Sequence, residues 1–170
     1  DRNLRRRLAE LCAPVWSEYV AQAAAGETPF NVLTPSSVDL DASRGIHQPN
    51  PLLDGIDAVP IVLVIAADMG SVAMMDRDLG RATLTGGASV YPFVHNLLLA
   101  ARDRGLGGVM TTFLARAEQE ARPLLGLPEG WALASMVCLG HPVRRPTRLR
   151  RRAVAEFTTV DRFDGPKFGA

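Results

Sequence analysis

The chain has 170 residues, 47% of them hydrophobic and 22% charged, with a formal net charge of +1. This content excludes an intrinsically disordered polypeptide and suits one globular domain over residues 1–170 with a sizeable core. The small net charge hides a local excess, because Arg144, Arg145, Arg148, Arg150, Arg151 and Arg152 crowd one segment near the C-terminus, a pattern that points to an anion.

In chain order, Leu4, Leu8, Leu11, Val15 and Tyr19 fall on one side of a helix that runs from Asp1 to about Ala25. Arg5 to Arg7 lie on its solvent-facing arc, and Pro14 predicts an interruption or kink. Residues 26–55 contain Pro29, Pro35, Pro49 and Pro51 among Ser, Asp and Asn without sustained periodicity. They read as an irregular excursion with a short helix, of a length that suits a lid, an interface arm or a substrate-determining insertion.

Val59-Pro-Ile-Val-Leu-Val-Ile65 is a β-branched run with the pattern of a strand covered on both faces, which predicts a place at the sheet centre. Beyond the turn at Gly86 and Gly87, apolar residues from Ala88 to Arg104 cover most of a helical circumference. Such a helix belongs at the centre of the fold or in a subunit interface. Gly105-Leu-Gly-Gly108 places three glycines in four residues after that helix. It reads either as a helix stop or as a turn whose backbone N–H groups face a flat ligand.

Thr112 is placed to cap a helix over Phe113 to Leu125, with Gly126 and Pro128 as its stop. Trp131 to Leu139 reads as a second apolar strand, and Ala153 to Val160 as a final strand or extended arm. The mixed order of helices and strands lacks regular βαβ repetition.

Few side chains form a catalytic constellation. Cys12 and Cys138 lie in apolar surroundings without CxxC spacing and read as reduced core residues. His47, His95 and His141 have no metal-ligand spacing, so no metal is expected, and His95 reads as a hydrogen-bonded core histidine. Asp76 and Asp78 read as solvated loop carboxylates, and Met69, Met74 and Met75 as ordinary packing. Neither GxSxG nor the full P-loop pattern occurs. The arginine cluster is either a solvated basic face or a phosphate site. In an extended chain Arg150 and Arg152 share one side, which makes them the candidate pair. No aromatic platform accompanies them, so no nucleic acid is expected. No signal-peptide pattern or bilayer-length apolar run appears, so no membrane is expected and the expectation is a cytoplasmic protein. Asp1 in place of an initiating Met reads as the start of a fragment.

The ordered set Gly87-Ala-Ser-Val-Tyr-Pro-Phe-Val-His-Asn-Leu-Leu-Leu-Ala-Ala101, Gly105-Leu-Gly-Gly108, Leu125-Gly-Leu-Pro-Glu129, Leu139-Gly-His-Pro142 and Arg150-Arg-Arg-Ala-Val-Ala-Glu156 resembles the FMN-dependent nitroreductase family. The resemblance spans about Val59 to Asp161. It implies an α+β fold with a central mixed or antiparallel sheet flanked by helices, and a homodimer with helix exchange and FMN at the interface. It also implies backbone contact of Gly107, Gly108, Val109, Met110 and Thr111 with the isoalloxazine, and capture of the FMN phosphate by Arg150 and Arg152, with Arg148 the nearest competitor. The activity implied is hydride transfer from NAD(P)H through the flavin to an electron-poor small molecule, a nitroaromatic or a quinone. The flavin would carry the chemistry, so no catalytic side chain is named. The alternative is a protein of the same fold that sequesters FMN without turnover. Family members begin with a helix of Arg and Ser residues for the phosphate and flavin, whereas this chain opens at what resembles the following helix. An N-terminally truncated member is therefore expected.

Overall fold

A computed structural model describes residues 1–169; Ala170, the last residue of the expected domain, lies outside the described residues. Helix α1 spans Arg2–Ala24, started by the Asp1 carboxylate, which accepts from the Leu4 N–H at 2.8 Å. Pro14 sits within it, yet the helix continues, so the expected interruption does not occur. The loss of one internal donor is offset by packing, since Leu8, Ala9, Cys12 and Val15 are all buried. Gly26, at φ 77°, turns the chain out of α1.

The segment 26–55 carries two short helices, α2 (Leu40–Arg44) and α3 (Pro51–Asp54), capped by the Asp39 and Asn50 side chains. Strand β1 (Ile61–Asp68) follows, then a loop closed by a 3-10 turn over Thr85–Gly87 and helix α4 (Val90–Asp103). Strand β2 is Gly107–Thr111, α5 is Phe113–Arg116, α6 is Glu118–Leu125 and β3 is Trp131–Gly140. The helix expected over Phe113 to Leu125 is thus two pieces with a break at Ala117. Thr112 makes no side-chain cap at its start, while Gly126 ends α6 in the left-handed conformation as expected.

The sheet is antiparallel, in the order β1-β3-β2. The central strand is therefore β3, and the β1 run lies at an edge, contrary to expectation. Both faces of β1 are nonetheless covered. Val62, Val64 and Ala66 pack with α1 residues Leu8 and Cys12 and with Met136 and Cys138, whereas Leu63 and Ile65 join Val94, Ala101, Val137 and Leu139 on the α4 side. A run of apolar residues reports two covered faces, but says nothing of which edges are paired.

The register shifts between Ile65 and Ala66, which pair with Ser135 and Leu133 and leave Ala134 as a bulge. Side chains meet the freed backbone groups. Glu118 accepts from the Leu133 N–H at 2.6 Å, and the Tyr91 hydroxyl donates to the Ala134 carbonyl at 3.4 Å. Arg122 adds a bond to the Trp131 carbonyl at 2.8 Å, so α6 is fastened to the start of β3.

Helix α4 departs most from the sequence expectation of burial. Within this chain only Val94 and Ala101 are buried on it, and Phe93 and Leu99 are 55% and 54% exposed. His95 is exposed as well, not a core histidine. The last segment forms no strand: it contains one 3-10 turn at Val154–Glu156 and an isolated bridge from Thr159 to Lys167. Val143, Leu149, Phe157 and Phe163 are exposed along it. No helix among the described residues is long and apolar enough to cross a membrane.

Candidate functional site

The glycine segment resolves into two roles. Gly105, at φ 78°, follows the end of α4; its N–H donates to the Arg102 carbonyl at 3.0 Å and the Leu106 N–H to the Ala101 carbonyl at 3.0 Å. This paired arrangement is a helix stop that needs a left-handed residue. Gly108 answers a different need, because a Cβ there would stand 2.4 Å from Leu139 Cδ2 and 2.8 Å from Leu98 Cδ2. Close approach is indeed its purpose, and the approaching groups belong to the chain's own core.

Gly107, Gly108, Val109, Met110 and Thr111 together are strand β2, an edge strand bonded to β3 on one side. Its outer edge has no strand partner in the sheet, and Val109 and Met110 are exposed. Thr111 carries a buried Oγ1 without a hydrogen-bond partner among the described residues. Buried hydroxyls in folded proteins are nearly always bonded, and the Ser135 hydroxyl of β3 is orphaned in the same way.

At the N-terminal end of β2 a cleft of about 410 Å3 is lined by Gly107 and Gly108 together with Arg102, His141 and Arg144. Arg145 donates to the Gly105 carbonyl at 2.6 Å and ties the basic segment to the glycine turn. Arg150 and Arg152 do not line this cleft; both are exposed, and Arg152 lies over the Phe157 ring at 5.4 Å. The chain thus brings the five β2 residues together without adding the Arg150 and Arg152 pair. None of Arg102, Arg144, Arg148, Arg150 and Arg152 has a carboxylate partner among the described residues.

At the opposite end of β2, the chain forms a second cavity of about 600 Å3 lined by Val15, Tyr19, Pro29, Phe30, Thr112, Phe113, Ala115 and Arg116. Sequence reasoning missed it. Glu18, 1% exposed, accepts from Arg116 Nε at 2.8 Å and from Arg44 Nε, so one buried carboxylate joins α1, α2 and α5. The excursion is further held by the Ser17 hydroxyl on the Ile46 carbonyl at 2.7 Å and Trp16 Nε1 on the Pro49 carbonyl at 3.1 Å.

The loop after β1 corrects the reading of Asp76 as solvated. It is 4% exposed and accepts from the Thr85 hydroxyl at 2.6 Å, the Leu84 N–H at 2.7 Å and Arg81 Nη1 at 2.8 Å. These bonds, led by the Thr85 hydroxyl, hold its carboxyl well below the usual range. Asp78 is exposed as expected, whereas Met75, expected to pack, is 85% exposed. Cys12 and Cys138 are both buried and free; burial raises both thiols, Cys12 to about 12.

An antiparallel sheet between a helical layer and one long apolar helix, with an open glycine-led edge strand, defines a nitroreductase-like α+β fold. The chain belongs to the Nitroreductase family, whose model matches residues 1–141. An NADPH-flavin oxidoreductase from Vibrio harveyi is 41% identical over 72 residues, which cover 42% of this chain and 30% of that protein. A 5,6-dimethylbenzimidazole synthase from Rhodospirillum rubrum is 34% identical over 92 residues, 53% of this chain and 42% of that protein. The solved NADPH:FMN oxidoreductase from Vibrio harveyi complexed with NAD+ superimposes with a TM-score of 0.53 at 25% identity, covering 65% of this chain and 50% of that one. The chain therefore spans less than half the length of the curated relatives it matches.

Proposed function

We propose that the protein is an FMN-dependent oxidoreductase that passes hydride from NAD(P)H through the flavin to an electron-poor small molecule of the nitroaromatic or quinone kind. The observation that carries this reading is β2: a family-matched edge strand with an open side, led by glycines and ended by a buried hydroxyl without a partner. Gly107, Gly108, Val109, Met110 and Thr111 are assigned to the flavin ring, contacted through the backbone. FMN when bound supplies the two-electron chemistry. The chain's own residues bind, orient and exclude water, which agrees with the scarcity of convergent nucleophiles and bases.

Arg150 and Arg152 are assigned to the phosphate, since guanidinium groups free of carboxylates match its oxygens. One protomer does not bring them to β2 within the cleft, and this favours a homodimer in which the arm of one copy completes the site of another. The uncovered apolar side of α4 supplies an interface for such a dimer. The relative named as a 5,6-dimethylbenzimidazole synthase shows that family likeness leaves the acceptor open, so the nitroaromatic or quinone assignment rests on the resemblance. The other reading, FMN held without turnover, takes support from the aromatic cavity being walled in part by the excursion.

The test is the spectrum of the purified chain reconstituted with FMN. The expected result is a yellow protein whose flavin absorbance bleaches on anaerobic addition of NADPH or NADH and returns with a quinone. Yellow protein that does not bleach supports sequestration, and failure to bind added FMN overturns both readings.

A further inference from the structure

The cavity beyond Thr112 has features that general core packing does not require. Phe30 adopts φ 56°, a left-handed conformation that is rare and costly for a bulky side chain. The buried Gln22 fixes it there, its Oε1 accepting from the Phe30 N–H at 3.0 Å. The result is placement of the ring: Phe30 lies 6.5 Å from Tyr19, and the Arg116 guanidinium sits over it at 4.5 Å. Phe113 stands edge-on to Tyr19 at 6.5 Å. Strain retained at one residue and repaid by a polar contact marks a position held for a purpose.

Arg116 is equally constrained. Its Nε is committed to buried Glu18, and its face to Phe30, whereas its two terminal amino groups have no hydrogen-bond partner among the described residues. No acidic side chain lines this aromatic cavity, while Glu10, Glu18 and Glu120 line a separate cleft that Arg116 also borders. A rigid guanidinium with a free fork at the rim of an aromatic chamber suits a planar carboxylate, which accepts two parallel N–H bonds while its ring stacks on Tyr19 or Phe113.

From this geometry we infer that the cavity binds a planar aromatic ring bearing a carboxylate, with Arg116 and Phe30 as specificity-determining residues. Its role as the acceptor site rests on the oxidoreductase reading, because Thr112 directly follows the residues assigned to the flavin; the binding preference itself does not. Residues 26–55 are then the specificity element, since they supply Pro29 and Phe30.

Calorimetric titration of the chain with 4-nitrobenzoate and with nitrobenzene tests the inference. The expected result is binding of the carboxylate at least about tenfold tighter. Arg116→Met, checked by circular dichroism, should bind both alike. Phe30→Gly, which accepts the local φ without strain, should remain folded and weaken both by roughly tenfold, about the loss of one stacking contact. Equal affinity in the unsubstituted chain, no binding of either compound, or a preference retained in Arg116→Met overturns the inference. The flavin spectrum separates the two readings: a protein that bleaches with NADPH yet shows no carboxylate preference loses only this site. A protein that binds no flavin but prefers 4-nitrobenzoate keeps the site and loses the oxidoreductase reading.

Discussion

Glu27 shows how single residues hold the excursion. Its carboxylate accepts from the Ser36 hydroxyl at 2.6 Å, the Ser37 hydroxyl at 2.6 Å and the Ser37 N–H at 2.7 Å. These bonds, Ser36 first, lower its pKa from 4.5 to about 2. Because the folded value lies below the unfolded one, the stabilisation is full above the unfolded value and disappears as pH falls through the folded value. Asp76 acts with the same sign on the other loop. Urea midpoints should therefore fall as pH drops from about 4.5 toward 2, and Glu27→Gln should flatten that slope. A slope unchanged in the variant would remove Glu27 from the account. Little of this was legible in the sequence. Serines nine and ten residues from a glutamate form no periodic signal, and Asp76 looks like any loop acid until Leu84 and Thr85 fold back on it. Glu18 did leave a trace, for it continues the Leu8, Leu11, Val15 spacing onto the buried stripe where Tyr19 was expected.

Elements were more legible than their arrangement. The periodicity of α1, the apolar runs of β1 and β3, and the stops at Gly105 and Gly126 all appear where local chemistry placed them. Sheet order did not follow, because which strand is central depends on register between segments some seventy residues apart, and β1 and β3 are both apolar on two faces. The break at Ala117 arises from tertiary demands on Glu118, whose carboxylate serves Arg122 and the Leu133 N–H at the bulge. Gly108 offers a test at this scale. Gly108→Ala should destabilise the fold by about 1–3 kcal/mol, the usual cost of overpacking, since the new methyl meets Leu139, Leu98 and the Cys138 carbonyl at 3.2 Å. Chemical denaturation measures this, and a loss under a few tenths would show that the two leucines simply move aside.

For the whole molecule, the chain leaves large apolar side chains of α4 uncovered. The α4 sequence is apolar nearly all round, and the exposure of Phe93 and Leu99 rules out the expected place at the centre of this chain. The segment Ala153 to Val160 reads as a strand or an arm, and the structure gives it only the turn at Val154–Glu156 and the isolated bridge from Thr159 to Lys167. In the homodimer reading, Leu99→Asp should shift sedimentation from dimer to monomer and release added FMN, while circular dichroism keeps the helix signal. A variant that stays dimeric would move the interface away from this side of α4.

The two buried thiols carry a separate consequence. With burial pushing the Cys12 thiol up to about 12, it stays protonated and unreactive at neutral pH, and steric occlusion adds to this. Both sulfurs belong to the core that joins α1 to the central strand. Their chemistry is therefore silent while that layer is closed and begins when it parts, so the protein carries an internal clock whose rate of modification reads how often its two layers separate.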